Sequence, residues 1–453
     1  MEQSSSRRKL LVWWGLIASL ILCVFAAGFG ISLKLWLGLV FFLVITFLYD
    51  YTKALLFCVV LFSVLQINLF HQRVFGIYSF VFGFNDALAI LLFLVLIAYK
   101  TARPADALVS DPFRTPLLLM LAGSLLSLSS AVQPVPGLLF LASMCIGYIF
   151  YRAILQFVNS ERHLEFIVMT VIIALFLIGI LGFYRVFVEK VASDQPGILL
   201  ERLGYVFTGP NGLGAILVTT MPLCVVPLMS RRALHRAFAL LLVVISLVVL
   251  FSTYSRNSYA ALIFSSLLIS ILLLGKKGYL AFAAFILLAL GLISVTPNAL
   301  QRTFSIGYFQ YDMSALARII LWRIAANDFI SHPFTGVGLM NFWFSAANVP
   351  LSGFCHNLYL SAFAETGLLG GIGVILLLIT IFSTLARQLA KQNVSRFRRI
   401  LFVCLLGSWA AFTSHNFLDQ VWFFIDRTYE MKFFWLNLGL TAAAISLPDD
   451  PRR

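Results

Sequence analysis

The chain has 453 residues, 61% of them apolar and only 11% charged, with 44 Phe and a mean hydropathy of +0.98. These values exclude a water-soluble globule and describe a polypeptide whose main solvent is lipid. The formal net charge of +14 does not point to nucleic acid, because no basic, aromatic-interleaved soluble stretch exists to carry such a site.

Apolar runs near twenty residues match helices crossing a bilayer core, whereas a transmembrane barrel would alternate apolar and polar residues in shorter segments. In chain order the runs are 11–30, 33–49, 54–70, 80–99, 116–132 and 137–157. They continue with 164–188, 209–229, 237–252, 258–274, 279–295, 358–385, 401–417 and 433–447. Several are short for a full crossing, so the expectation is an all-α polytopic membrane protein with about 12–14 transmembrane helices and one large, partly helical loop outside the membrane. The first run lacks a clear small-x-small cleavage site and another run follows almost at once, so it reads as a retained span. The chain divides into N-terminal spans over 1–200, further spans over 201–295, the loop over 296–355, and C-terminal spans over 356–453.

Orientation follows from Lys and Arg, which cytoplasmic loops retain. With Arg7, Arg8 and Lys9 inside, the even-numbered loops carry clusters such as Arg231/Arg232/Arg236, Lys276/Lys277 and Arg387/Lys391/Arg396/Arg398/Arg399. By these boundaries about two-thirds of the basic residues fall inside, which places both termini in the cytoplasm. The basic loops also favour anionic lipids. Cys23, Cys58, Cys145, Cys224, Cys355 and Cys404 are scattered, and without CxxC or Cys/His spacing neither disulfides nor a metal is expected.

The 296–355 loop falls outside. Within it, Leu316, Ile319, Ile320, Ile324 and Phe329 recur at spacings near three and four. That predicts a helix whose apolar face leaves Arg318 and Arg323 on other faces. His332-Pro333 ends it and Thr335-Gly336-Val337-Gly338 supplies a flexible turn.

Three outside residues carry chemistry. Arg256 sits in Tyr254-Ser255-Arg256-Asn257-Ser258 between two runs, Arg318 in the loop helix, and His356 in His356-Asn357-Leu358-Tyr359-Leu360 at the mouth of a run. Singly, Arg256 reads equally as a snorkelling interfacial residue, Arg318 as a solvated charge or an ion-pair partner of Asp312 or Asp328, and His356 as a helix cap. Together they suit cleavage of a sugar–diphosphate bond: guanidinium groups bind diphosphate oxygens in bidentate fashion, and a neutral imidazole takes the proton of an attacking hydroxyl. Gly209-Pro210-Asn211-Gly212-Leu213-Gly214 reads either as a turn entering a span or as a helix start whose backbone N–H groups line a donor site. Glu365 belongs to packing, or orients His356 if its helix bends. His415, followed by Asn416 and Asp419 at an outside helix end, is the second choice of base. Arg185, Lys190 and Arg202 flank another outside loop, as phosphate contacts or solvated charges.

The segments SRNSYAALI, RIILWRIAANDFISHPFTGVGLMNF and HNLYLSAFAETGLLGGIGVILLL, in that order, resemble the signature segments of the O-antigen ligase and polymerase superfamily of bacterial envelope glycosyltransferases. The resemblance covers about residues 205 to 380; the first 200 match only as a string of spans. It implies a multi-span, metal-independent glycosyltransferase of the inner membrane, without a cofactor and active at the periplasmic face. Such an enzyme passes a glycan from undecaprenyl diphosphate to the lipid A-core in ligases, or to another lipid-linked glycan in polymerases. By motif, His356 would be the general base of a single inverting displacement, with Arg256 and Arg318 as catalytic partners. Asn211, Arg202, Asn357, Tyr359, Glu365 and His415 would be substrate-binding. Only residues 448–453 follow the last run, which favours ligase or polymerase over a protein-directed oligosaccharyltransferase, ligase being preferred. Excess spans would indicate a polymerase. A flippase or transporter is the alternative from another class, opposed by the lack of an internal repeat and of charge deep within the runs. A non-catalytic scaffold is opposed by the Arg/Arg/His set.

Overall fold

The computed structural model describes residues 68–74, 78–83, 109–184, 209–295, 313–348, 354–420 and 428–448. Its body is all-α, an assembly of α1 (Arg114–Ser127), α2 (Pro134–Phe157), α3 (Glu161–Tyr184), α4 (Pro210–Thr220), α5 (Ala233–Ser252) and α6 (Arg256–Leu274). It continues with α7 (Gly278–Val295), α8 (Met313–Ser331), α9 (Leu358–Ala390), α10 (Arg396–His415) and α11 (Thr428–Ser446). The apolar run after residue 209 is not one straight helix. Pro222 and Pro227 each remove a backbone donor, and α4 passes into a 3-10 turn, Met221–Cys224, and a single α turn, Val225–Leu228.

Among the described residues, seven stretches are long and apolar enough to cross a membrane: Pro134–Phe157, Glu161–Ile180, Pro210–Leu228, Ala233–Ser252, Arg256–Ser294, Leu358–Ala390 and Arg396–His415. The 39-residue stretch is α6 and α7 folded back at Gly275, whose φ of 56° suits glycine. The runs expected from 137 to 295, and those at 358–385, 401–417 and 433–447, agree with helices α2 to α7 and α9 to α11. The run at 116–132 is the shorter helix α1. Those at 11–30 and 33–49 lie outside the described residues. The runs at 54–70 and 80–99 are described only at their facing ends, and there the chain forms a hairpin of β1 (Asn68–Val74) and β2 (Tyr78–Gly83). Phe70 faces Phe82, Gln72 faces Phe80 and Val74 faces Tyr78. Aromatic and β-branched residues are frequent in β2, at Tyr78, Phe80, Val81 and Phe82, which suits a pleated ribbon.

The helices pack chiefly as α1 on α9, α6 on α10, α2 on α11 and α3 on α5. Small residues allow the closest approaches: a Cβ on Gly123 of α1 would lie 2.3 Å from the Gly370 nitrogen of α9. Without water to drive association inside a bilayer, such contact is what holds helices together.

Helix α9 is broken at Gly367, where φ is 63° and ψ −162°. The loop after α8 fills the break. Val337 N donates to Ala364 O and Leu368 N donates to Pro333 O, each at 2.8 Å, so the groups that the break separates are satisfied by a foreign segment. Glu365 secures the same loop by accepting from Met340 N at 2.9 Å, a residue itself at φ 61°.

α4, α6 and α9 begin, and α10 ends, at one end of the bundle, where their termini are bonded together. The chain directions therefore put Arg231, Arg232 and Arg236, Lys276 and Lys277, and Lys391, Arg396 and Arg399 at the opposite end. Arg398 lies there too, donating to Ala444 O in the last turn of α11 and to Leu447 O and Pro448 O just beyond it.

Candidate active site

The polar end is organised by the Asn416–Gln420 segment that follows α10. Its carbonyls are taken by the starts of two other helices. Leu358 N donates to Asn416 O at 3.0 Å and to Asp419 O at 3.1 Å, Asn357 Nδ2 to Phe417 O at 2.9 Å, and Asn257 Nδ2 to Leu418 O at 2.9 Å. Asn357 also caps α9, its Oδ1 accepting from Leu360 N at 3.0 Å. Four successive carbonyls are thus tied to α6 and α9, and a segment without secondary structure becomes a fixed part of the site.

Asp419 is the centre. It is fully buried, and its Oδ2 accepts from Asn211 Nδ2 at 2.8 Å while its Oδ1 accepts from Gln420 N at 2.9 Å. The same Oδ1 lies 3.2 Å from His356 Nδ1. A buried carboxylate beside Nδ1 assigns the proton to that nitrogen, so Nε2 becomes the basic one. His356 has a left-handed φ of 53°, a conformation costly for a non-glycine residue and often found where a functional side chain is being aimed. Its side chain is 22% exposed against 0% for Asp419. The imidazole therefore reaches the surface while its partner does not.

Arg256 opens α6, half-buried and immediately before the Asn257 that holds Leu418 O. Arg318 is half-buried on α8, one turn before Trp322, whose ring centroid lies 6.2 Å from that of Phe417 in an edge contact. All three motif residues of the sequence are therefore held by elements that contact the same five-residue segment. The N-termini of α4, α6 and α9 meet there as well, and helix N-termini favour anions.

The burial of α8 differs from the expectation. Leu316, Ile319 and Ile320 lie on its exposed side; the buried residues are Ala317, Leu321 and Ala325, spaced by four. Small side chains let α8 approach α9, where bulky β-branched ones would hold the two apart. This contact brings half-buried Arg318 onto the inner side of the helix rather than the solvated one.

Several expected substrate contacts are engaged within the protein instead. Asn211 bonds Asp419 through its side chain, Tyr359 donates to Thr413 O at 2.9 Å, and Glu365 is buried against the Met340 loop. The helix does bend near Glu365, but the bend serves that loop rather than His356. His415 is fully buried, unlike the partly exposed His356. Cys355 is buried and its thiol is pushed up from the ordinary range, first by burial, which fits a packing residue. Asp328 also sits above its usual carboxylate range, chiefly because it is buried, although a hydrogen bond from Ser345 opposes the shift. Arg185, Lys190 and Arg202 lie outside the described residues. Among the described residues, no three His, Cys, Asp or Glu side chains gather to hold a metal ion.

The sequence reading missed the segment that joins these parts. It noted Asp419 only as a polar residue near a helix end, and gave Asn257 no role. The available signal was an acidic residue close after His415 and Asn416, on the same predicted side as His356.

The class so defined is a polytopic helical membrane protein with an Asp-oriented histidine and two arginines at one end of its bundle. Residues 241–375 match the family model described as O-antigen ligase. That segment runs from α5 into α9 and contains Arg256, Arg318 and His356, while Asn211 and Asp419 lie on either side of it. Over that segment the chain is similar to the O-antigen ligase and polymerase superfamily, a family of glycosyltransferase-type enzymes whose substrates are, in general terms, lipid-linked glycans and lipids. No curated protein matches the chain.

Proposed function

We propose that this protein is an O-antigen ligase. It transfers a glycan from undecaprenyl diphosphate to a sugar hydroxyl of the lipid A-core, at the periplasmic face of the inner membrane and without a metal ion. The observation that carries this reading is the His356 Nδ1 to Asp419 Oδ1 approach of 3.2 Å, with Asp419 buried and bonded by Asn211 at 2.8 Å. A histidine held in one tautomer by a buried carboxylate is suited to general-base work.

In the step envisaged, His356 Nε2 takes the proton of the acceptor hydroxyl as its oxygen bonds to the anomeric carbon. The bond from that carbon to the diphosphate oxygen breaks, and undecaprenyl diphosphate leaves with the electron pair. One displacement inverts the anomeric centre. Arg256, Arg318 and the helix N-termini stabilise the negative charge gathering on the diphosphate. The periplasmic assignment is supported by the basic clusters at the far end of the bundle, since the Lys/Arg-rich ends of spans stay in the cytoplasm.

The test is transfer of a labelled glycan from its lipid diphosphate to lipid A-core by purified protein in detergent, without ATP, nucleotide sugar or divalent metal. Product formation is expected. Movement of the lipid across sealed vesicles without a new glycosidic bond would replace the enzyme by a flippase. In a deletion strain, lipid-linked polymer should accumulate while polymer-capped lipopolysaccharide disappears; single-repeat caps would instead make the protein a polymerase.

A further inference from the structure

We propose that Phe417 is a stacking platform for the acceptor sugar, an inference that rests on the glycosyltransferase reading above. Phe417 lies two residues beyond the end of α10 and two before Asp419, in the segment that holds the site together. It is 56% exposed, whereas Asn416, Asp419 and Gln420 around it are buried.

Exposure of one Phe on a membrane protein is unremarkable when it faces lipid, but the setting of this ring is different. Its backbone carbonyl accepts from Asn357 Nδ2 at 2.9 Å. Its ring contacts those of Trp322, at 6.2 Å and 71°, and Tyr359, at 6.3 Å and 48°. Tyr359 is itself fixed by its bond to Thr413 O. A large apolar surface is therefore anchored through its backbone, flanked by two aromatic rings and left uncovered, in the segment whose Asp419 contacts the base, at the polar end of the bundle. Such pre-organisation lowers the entropy lost on binding.

The chemistry that fits this surface is the C–H face of a pyranose. Axial hydrogens on one side of the ring form an apolar patch that packs on an aromatic face, leaving the hydroxyls at the rim for hydrogen bonds. Acceptor and donor must occupy opposite sides of the reacting carbon. Phe417 lies in the segment that carries Asp419, the partner of His356, and its carbonyl is bonded by Asn357, the residue after His356, so the sugar it supports is assigned to the acceptor, whose hydroxyl loses its proton there.

The experiment measures transfer kinetics with acceptor and donor varied separately, using the full-length protein in detergent. Phe417→Ala should raise the acceptor KM about tenfold, with donor KM and kcat near the original values. Phe417→Trp should retain a near-normal acceptor KM, and Phe417→Leu should behave like the alanine variant. Equal acceptor KM in Phe417→Leu and the unaltered protein would reduce the residue to apolar filling and overturn the proposal. So would a rise in donor KM alone, or a fall in kcat with no KM change. A Phe417→Ala variant that lost its melting transition would move the test to the Trp and Leu pair. If the unaltered protein transfers no glycan, the enzyme reading fails. If it transfers and Phe417→Ala matches it in every constant, only the platform fails.

Discussion

His356 carries the sharpest chemical expectation. His356→Ala should lower transfer by about 10²–10⁴-fold, the usual worth of a general base, while detergent-solubilised protein keeps its melting temperature. Near-normal turnover would remove the base assignment. Asp419→Asn tests the partner: without the carboxylate, the tautomer and aim of the imidazole are no longer set, and kcat should fall about 10- to 100-fold with KM values little changed. A fall in thermal stability matching the loss of activity would instead make Asp419 purely structural. For the arginines, replacement by Lys keeps the charge but loses the planar fork. Arg256→Lys and Arg318→Lys should each raise the donor KM by about tenfold, and normal donor use by both variants would detach them from the diphosphate. Residue types and order made these three positions legible in the sequence. Asp419 was not legible as their organiser, because its contact with His356 spans 63 positions and its contact with Asn211 spans 208.

Among the elements, α9 shows how a local break depends on a distant loop. Gly367 occupies a backbone region essentially closed to residues with a Cβ, and a Cβ there would lie 2.3 Å from Phe334 O. Gly336 faces the same junction from the loop, at φ 65°, where a Cβ would come within 2.4 Å of the Glu365 carbonyl carbon. Gly367→Ala should therefore destabilise the protein by about 1–3 kcal/mol from backbone strain alone, and by more if the loop is expelled. A melting curve in detergent reads the effect, and an unchanged midpoint would mean that the break tolerates a side chain. The Gly-rich motif announced a flexible turn after α8, and the apolar run at 358–385 announced α9. Neither announced that one would be inserted into the other, since hydropathy registers how apolar a residue is and not which carbonyl its neighbour will meet. The same limit explains the shifted face of α8, where apolar character alone selected Leu316, Ile319 and Ile320 and close packing selected Ala317, Leu321 and Ala325.

For the whole molecule, the charge bias and the chain directions make one joint prediction. In a cysteine-free background, Lys277→Cys should react with a membrane-impermeant maleimide only after the membrane is opened, whereas Arg323→Cys should react from the periplasm. The reverse pattern would put the site end in the cytoplasm. The sequence by itself determined the membrane class, the approximate limits of the described spans and the three motif residues. Hydropathy and residue type are properties of each position and survive without a fold. The tertiary structure alone decided that Arg256, Arg318 and His356 are held by elements meeting at Asn416–Gln420, that Asp419 aims the imidazole, and that the loop after α8 completes α9. Each of these depends on which buried polar group finds which partner, and helices distant in the sequence must pack before that choice exists.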